Sequence, residues 1–364
     1  MKNNIGYISF VFFFFIGQTV FGQEKNREKA SLKGKEAIQL MDSGKVDESI
    51  LLLKEAQNLD PANITYPYEL GYAYYLKKDY KSTIKFLENI KNEKTVNDRV
   101  YQLLGNAYDM LGESDSAVGI YESGLKLFPK SGHLYLEMGA IQRVKGDLEK
   151  ALGFYEKGIQ VDPGFSSNYY WASKLFCISD EKVWGMIYGE IFMNLERNSK
   201  RTAEISELIY NQYNNQIKFK GDTGISVSFS KNAFIQEGPA ADPNQIKLPF
   251  GIGVYETTLA LSMIGLNSIN INTLDTIRTN FINNYFKNKH DKIFPNVLFN
   301  YQKKIIDLGY SEAYNHWILM KGDEDRFEKW LANNEEKWTD FTNWFMKNPL
   351  KVDSANSFFR EQYN

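Results

Sequence analysis

The sequence predicts an all-α chain: a helix-turn-helix solenoid, then an α-helical C-terminal domain with a short irregular or β insert between them. Three observations carry this. Gly71, Gly105 and Gly139 recur 34 residues apart with their neighbours in register. From about residue 251 apolar residues fall at helical spacing, but off that grid. Between these regions, residues 218–250 gather Gly221, Gly224, Gly238, Pro239, Pro243 and Pro249 and lose the helical period.

From the N-terminus, Lys2 precedes an apolar run, Ile5 to Ile16, that contains Phe12-Phe13-Phe14-Phe15. Val20-Phe21-Gly22 follows, and the first acid is Glu24. A basic start, a short apolar core and modest residues before the break form the pattern of a secretory signal. The expectation is a signal peptide at 1–22, cleaved before Gln23, a short lead at 23–29, and a periplasmic or secreted mature chain. A retained membrane anchor is the alternative, although the run is short for a span of about 20 residues. The single cysteine, Cys177, lies far from this segment, so the chain has no lipidation cysteine there and no internal disulfide.

The repeat grid comes next. Around Gly105 the chain reads Tyr101-x2-Leu104-Gly105-x2-Tyr108, then Ala117-x3-Tyr121 and Pro129. One period later it reads Tyr135-x2-Met138-Gly139-x2-Gln142, Ala151-x3-Tyr155 and Pro163. A glycine inside a helix costs about 1 kcal/mol of propensity, so its recurrence calls for close helix packing. Gly112 and Gly146 fall at the turns between helices, and Pro129 and Pro163 stop the second helices. Weaker copies flank these units. Leu70-Gly71-x2-Tyr74 with Thr83 and Leu87 forms one, and Ala37, Leu40, Gly44, Ser49, Leu53, Ala56 and Pro61 another. Tyr169-x2-Ala172-Ser173-x2-Phe176 opens a fifth unit whose second helix departs, with Gly185 and Gly189 in the small and large slots.

This pattern resembles the tetratricopeptide repeat (TPR), over residues 30–198 and about five units. The resemblance implies paired antiparallel helices, the first of each pair lining a concave groove that binds protein or peptide partners. In that scheme the groove positions are Tyr68, Tyr72 and Tyr75 in the second unit, and Arg99, Gln102, Asn106 and Asp109 in the third. The fourth supplies His133, Leu136 and Arg143, and the fifth Tyr170 and Lys174. Such a mixture of aromatic and hydrogen-bonding groups suits an extended peptide. The carboxylate clamp of chaperone-type TPR domains is incomplete: Gln102 and Asn106 are followed by Glu137, Ser167 and Trp171 at the remaining positions.

After the repeats, residues 199–217 carry Ile205, Leu208, Ile209, Tyr213 and Ile217 at helical spacing and read as a capping helix. In the irregular stretch 218–250, Ile225, Val227 and Phe229 alternate with serines as in a short strand. The helical domain 251–364 then has Leu274, Ile277, Phe281 and Tyr285 on one face, with Thr273 as an expected N-cap. Pro295 is expected to open a helix that Gly309 ends. Trp317, Trp330, Trp338 and Trp344 read as a packed face rather than a sugar platform.

No catalytic pattern emerges. Asp222-Thr223-Gly224 copies an aspartic-protease triplet without the apolar strand that should precede it, and reads as a turn. Gly251-Ile252-Gly253 lacks the last glycine of a dinucleotide loop, since Glu256 stands there. Ser82-x2-Lys85, Ser123-x2-Lys126 and Ser228-x2-Lys231 lack the partner motifs of a serine acyl-enzyme. His133, His290 and His316 have no metal-ligand spacing. Lys and Arg total 43 against 45 Asp and Glu, a net charge of −2 with the signs interspersed, which argues against a nucleic-acid partner. The expected function is an exported, non-catalytic protein-interaction scaffold without cofactor or metal. A glycan-binding envelope protein is the alternative, and an enzyme in the C-terminal half a more distant one.

Overall fold

The computed structural model describes residues 6–220, 224–231 and 249–363, with side chains from residue 23 onward except at residue 220. Two compact units divide the chain, one ending at Pro129 and the other starting at Lys130.

The first unit holds three antiparallel helix pairs: α1 (Gly6–Asp42) with α2 (Val46–Leu59), α3 (Thr65–Leu76) with α4 (Tyr80–Glu88), and α5 (Asp98–Met110) with α6 (Ser114–Leu127). The backbone of α1 is helical through the expected cleavage position; the apolar run behind that expectation lies outside the residues whose side chains are described. The turns follow the grid. Gly44 and Gly112 take left-handed φ values of 80° and 81°, and the equivalent residue of the second pair, Lys78, is held at 62°. Asp79 caps α4 by accepting from Ser82 N–H (3.1 Å), and Asn97 caps α5 through Arg99 N–H (3.1 Å). The grid glycines are contact points between the two helices of a pair. A Cβ built on Gly105 would stand 2.1 Å from the Tyr121 ring, and one on Gly71 2.9 Å from Leu87.

In the second unit, α7 (Gly132–Val144) pairs with α8 (Leu148–Val161), and α9 (Ser166–Ile178) with α10 (Lys182–Leu195). Gly146 turns the first pair at φ 82°, and a Cβ on Gly139 would meet Tyr155 at 2.4 Å. The fifth repeat inverts this arrangement. Ser173 stands where the glycine stood, and Gly189 replaces the ring; a Cβ on Gly189 would fall 2.6 Å from Ser173 Oγ. Ser173 Oγ donates to the Gly185 carbonyl (2.7 Å).

α11 (Lys200–Gln216) follows and runs into β1 (Ile217–Lys220), which pairs antiparallel with β2 (Gly224–Val227) in register Ile217↔Val227 and Lys220↔Gly224. One strand was expected from the sequence. The second arises because Ile217 and Phe219 alternate with lysines, a period-2 pattern that the helical reading of Ile217 absorbed. Asp222 and Thr223 lie outside the described residues. Gly251-Ile252-Gly253 belongs to a π-helical turn, Phe250–Glu256, continuous with α12 (Thr257–Leu261). Its Glu256 accepts hydrogen bonds from Phe229 and Ser230 N–H (2.5 and 2.6 Å).

The last five helices are α13 (Ile271–Lys287), α14 (Val297–Asp307), α15 (Ser311–Leu319), α16 (Glu324–Asn333) and α17 (Glu335–Lys347). Two caps differ from expectation. Asn270, not Thr273, is the N-cap of α13, and Thr273 supplies the reciprocal bond of a capping box. Asn296, not Pro295, starts α14, because its side-chain carbonyl accepts from both Leu298 and Phe299 N–H. The tryptophans pack inward: Trp317 on Phe345 (4.8 Å), Trp330 on His316 (4.1 Å), Trp338 on Phe341 (5.8 Å) and Trp344 on Tyr310 (5.4 Å). Every residue of α10 from Val183 to Asn194 is buried, which makes it the central helix of this unit.

Candidate partner-binding surface

The expected groove residues lie on first helices in both units. In the first unit, α3 presents an exposed Tyr72 and half-buried Tyr68 and Tyr75, the last packed edge-on against Tyr80 at 5.4 Å. On α5, Arg99 is exposed and donates to Gln102 Oε1 (3.0 Å). Asn106 and Asp109 have local work. Asn106 Oδ1 accepts the Tyr121 hydroxyl (2.5 Å), which ties the first helix to the second. Asp109 accepts from Ser114 Oγ (2.8 Å) across the turn. Tyr68 has its hydroxyl pushed up by burial and by Glu69, partly offset by Arg99.

The second unit gathers a denser cluster on α7, α9 and α11. Arg143, at the end of α7, lays its guanidinium 4.1 Å from the centre of the Trp171 ring on α9. Lys174 Nζ stands 5.1 Å from the ring centres of both Tyr170 and Trp171. Glu204 of α11 accepts from Lys174 (2.5 Å) and from the Tyr170 hydroxyl. Arg201, also on α11, lies 5.1 Å from the Tyr170 ring centre and pairs with Glu196. Burial would raise the Glu204 carboxyl, but the Lys174 and Tyr170 hydrogen bonds outweigh it and hold the group below its usual range. For Lys174 burial works against the charge, and the same partners overcome it and raise the ammonium. His133 contributes at the other end of α7, edge-on to Phe165 at 4.1 Å, and Leu136 packs against the core. Tyr170 is buried, so its ring serves as a platform more than a contact.

Trp171, Arg201 and Glu204 were missed by sequence reasoning. The signal for two of them was present. Arg201 and Glu204 fall 34 residues after Ser167 and Tyr170, so one more period of the grid places them on a first helix in the groove register. Reading α11 only as a cap hid this. The grid also leaves an exposed apolar side chain at one register of four successive first helices: Leu76, Met110, Val144 and Ile178.

A second polar cluster is buried in the same unit. Glu190 on α10 pairs with Arg278 on α13 (2.6 Å), both side chains 5% exposed, and also accepts from Gln302 (2.5 Å) and Tyr314 (2.8 Å). Arg278 further donates to Asn315 (2.8 Å) and Tyr213 (3.2 Å). Burial lifts the Tyr314 hydroxyl far above its ordinary range. The space beside this network is about 20 Å³, room for about one water molecule and too little for a substrate. Cys177 is buried, and burial pushes its thiol up to about 12, which leaves it unreactive. Among the described residues no group of three or more His, Cys, Asp or Glu side chains converges as a metal site would.

Residues 98–131, which span α5 and α6, match the tetratricopeptide repeat family. No curated protein matches the chain by sequence. Among solved structures, a thermophilic TPR protein of Thermus thermophilus is 13% identical with a TM-score of 0.42, over 50% of this chain and 98% of that one. Pseudomonas aeruginosa PilF is 14% identical with a TM-score of 0.45, over 52% and 86%. A MamA fragment from Desulfovibrio magneticus RS-1 is 17% identical with a TM-score of 0.37, over 47% and 97%. The family match and the helix pairs described above set a TPR repeat within an all-α fold on the TPR register. Proteins of this class generally scaffold protein interactions without catalysis.

Proposed function

We propose that this protein is an exported, non-catalytic scaffold that holds a protein or peptide partner on the first helices of its TPR pairs. The observation that carries the reading is the cluster of Arg143, Trp171, Lys174, Arg201 and Glu204 on α7, α9 and α11. Cations stacked on aromatic rings give a surface that is partly desolvated and rich in donors. Such surfaces supply much of the affinity at protein interfaces. A glycan-binding site asks for a bare aromatic face, and here Trp171 and Tyr170 carry side-chain cations over their rings.

Replacing Arg143 and Lys174 together by alanine should weaken partner capture by about tenfold or more and leave helical circular dichroism intact. Unchanged affinity in this variant, paired with loss on changing Tyr72 and Arg99, would move the site to the first unit. Export rests on the apolar run Ile5–Ile16 followed by Val20-Phe21-Gly22. The mature protein should begin at Gln23 on N-terminal sequencing, and recovery of intact Met1 in membranes would favour the retained anchor.

A further inference from the structure

A cleft of about 420 Å³ lies between α8 and the C-terminal segment, with α9 also in its lining. Its volume is that of small-molecule sites. α8 contributes Glu149, Gly153 and Lys157, the C-terminal segment Phe359 and Glu361, and α9 the Phe176 ring. The C-terminal wall is fixed in place. Arg360 grips Glu156 through two hydrogen bonds (3.0 and 2.7 Å), its backbone N–H donates to the Tyr188 hydroxyl (2.9 Å), and Phe358 and Tyr363 are buried on either side.

The lining holds an excess of acid over base. Arg360 and Glu156 neutralise one another, and Tyr188 donates a further hydrogen bond to the carboxylate (3.0 Å). Lys157 donates to the neutral Gln160 (2.7 Å) and keeps its charge, so the lining carries three carboxylates against two cations. Glu149 and Glu361 are exposed on the rim and enter no ion pair among the described residues. Phe176 and Phe359 give the lining its apolar part, and Phe176 already faces one cation, with Arg360 5.3 Å from its ring centre. The wall is open at Gly153, where a Cβ would meet nothing within 4 Å.

We propose that this cleft binds an alkylammonium: an aliphatic stem along the Phe176 and Phe359 rings, with the cationic head between Glu149 and Glu361. Such a group can come from a lysine side chain of a peptide or from a free polyamine. Titration of the full chain with Nα-acetyl-lysine amide and with spermidine, followed by isothermal calorimetry, distinguishes the sources. Saturable binding of either probe, with Nα-acetyl-norleucine amide inactive, supports the site. The probe that binds more tightly identifies the source. Glu149→Gln with Glu361→Gln should weaken binding about tenfold or more. Gly153→Phe should abolish it by filling the cleft without lowering the melting temperature. Binding that survives both changes, binding of norleucine amide at equal affinity, or no binding of either cation overturns the proposal.

Discussion

Single residues show how the 34-residue grid works, because the same change has opposite signs at different glycines. Gly105→Ala adds a Cβ where the buried Tyr121 ring stands 2.1 Å away, so the ring or the helix must move. Overpacking costs about 1–3 kcal/mol and outweighs the roughly 1 kcal/mol of helix propensity gained. Gly119→Ala, on the exposed face of α6 with nothing within 4 Å of the new Cβ, keeps the propensity gain alone. Urea unfolding should therefore place the first variant below wild type and the second above it; equal shifts would contradict the packing account. Lys78 gives a related test. It occupies the left-handed turn position that Gly44, Gly112 and Gly146 take elsewhere. A left-handed side-chain residue costs about 1–2 kcal/mol, and glycine returns part of that as unfolded-state entropy. Lys78→Gly should raise stability by about 0.5–1 kcal/mol, and a loss would show that the lysine stem contributes packing there. The grid glycines and turn residues were legible in the sequence because their cause is local: a close helix crossing or a positive φ leaves few residue types.

At the scale of elements, what escaped the sequence was what depends on partners far along the chain. Glu190 and Arg278 lie 88 residues apart and meet because α10 runs through the centre of its unit, with α13, α14 and α15 contributing to the network. Neither residue stands out in its own helix, so no spacing rule finds the pair. Removing one partner strands the other as a buried charge. Glu190→Ala should cost about 3–5 kcal/mol, whereas replacing Glu190 and Arg278 together by methionine and leucine should cost much less. A single variant as stable as wild type would mean that water reaches the site. The β1–β2 hairpin and the caps at Asn270 and Asn296 were misread for a smaller reason: neighbouring residues offered two competing local patterns, and contacts beyond the window chose between them. The fifth repeat's exchange of Ser173 and Gly189 was visible as a departure from the grid, but its meaning needed the facing helix.

For the whole molecule, the fold class was legible from two periodic patterns and the break between them, and the cluster on α7, α9 and α11 was legible in part. The grid placed Arg143, Tyr170 and Lys174 on first helices; it did not bring in Trp171, which sits one position off the groove register, or α11, which continues that register after the repeat signature has faded. The central claim is that partners contact α7, α9 and α11 of the second unit. Site-specific photocrosslinking in cells tests it most directly, with p-benzoyl-phenylalanine placed at the exposed Asn211 of α11 and, as a control, at the exposed Lys329 of α16. The expected result is a discrete protein adduct from position 211 that disappears when Arg143 and Lys174 are also changed to alanine, and none from position 329. Adducts from position 329 alone, or a position-211 adduct indifferent to Arg143 and Lys174, would contradict it.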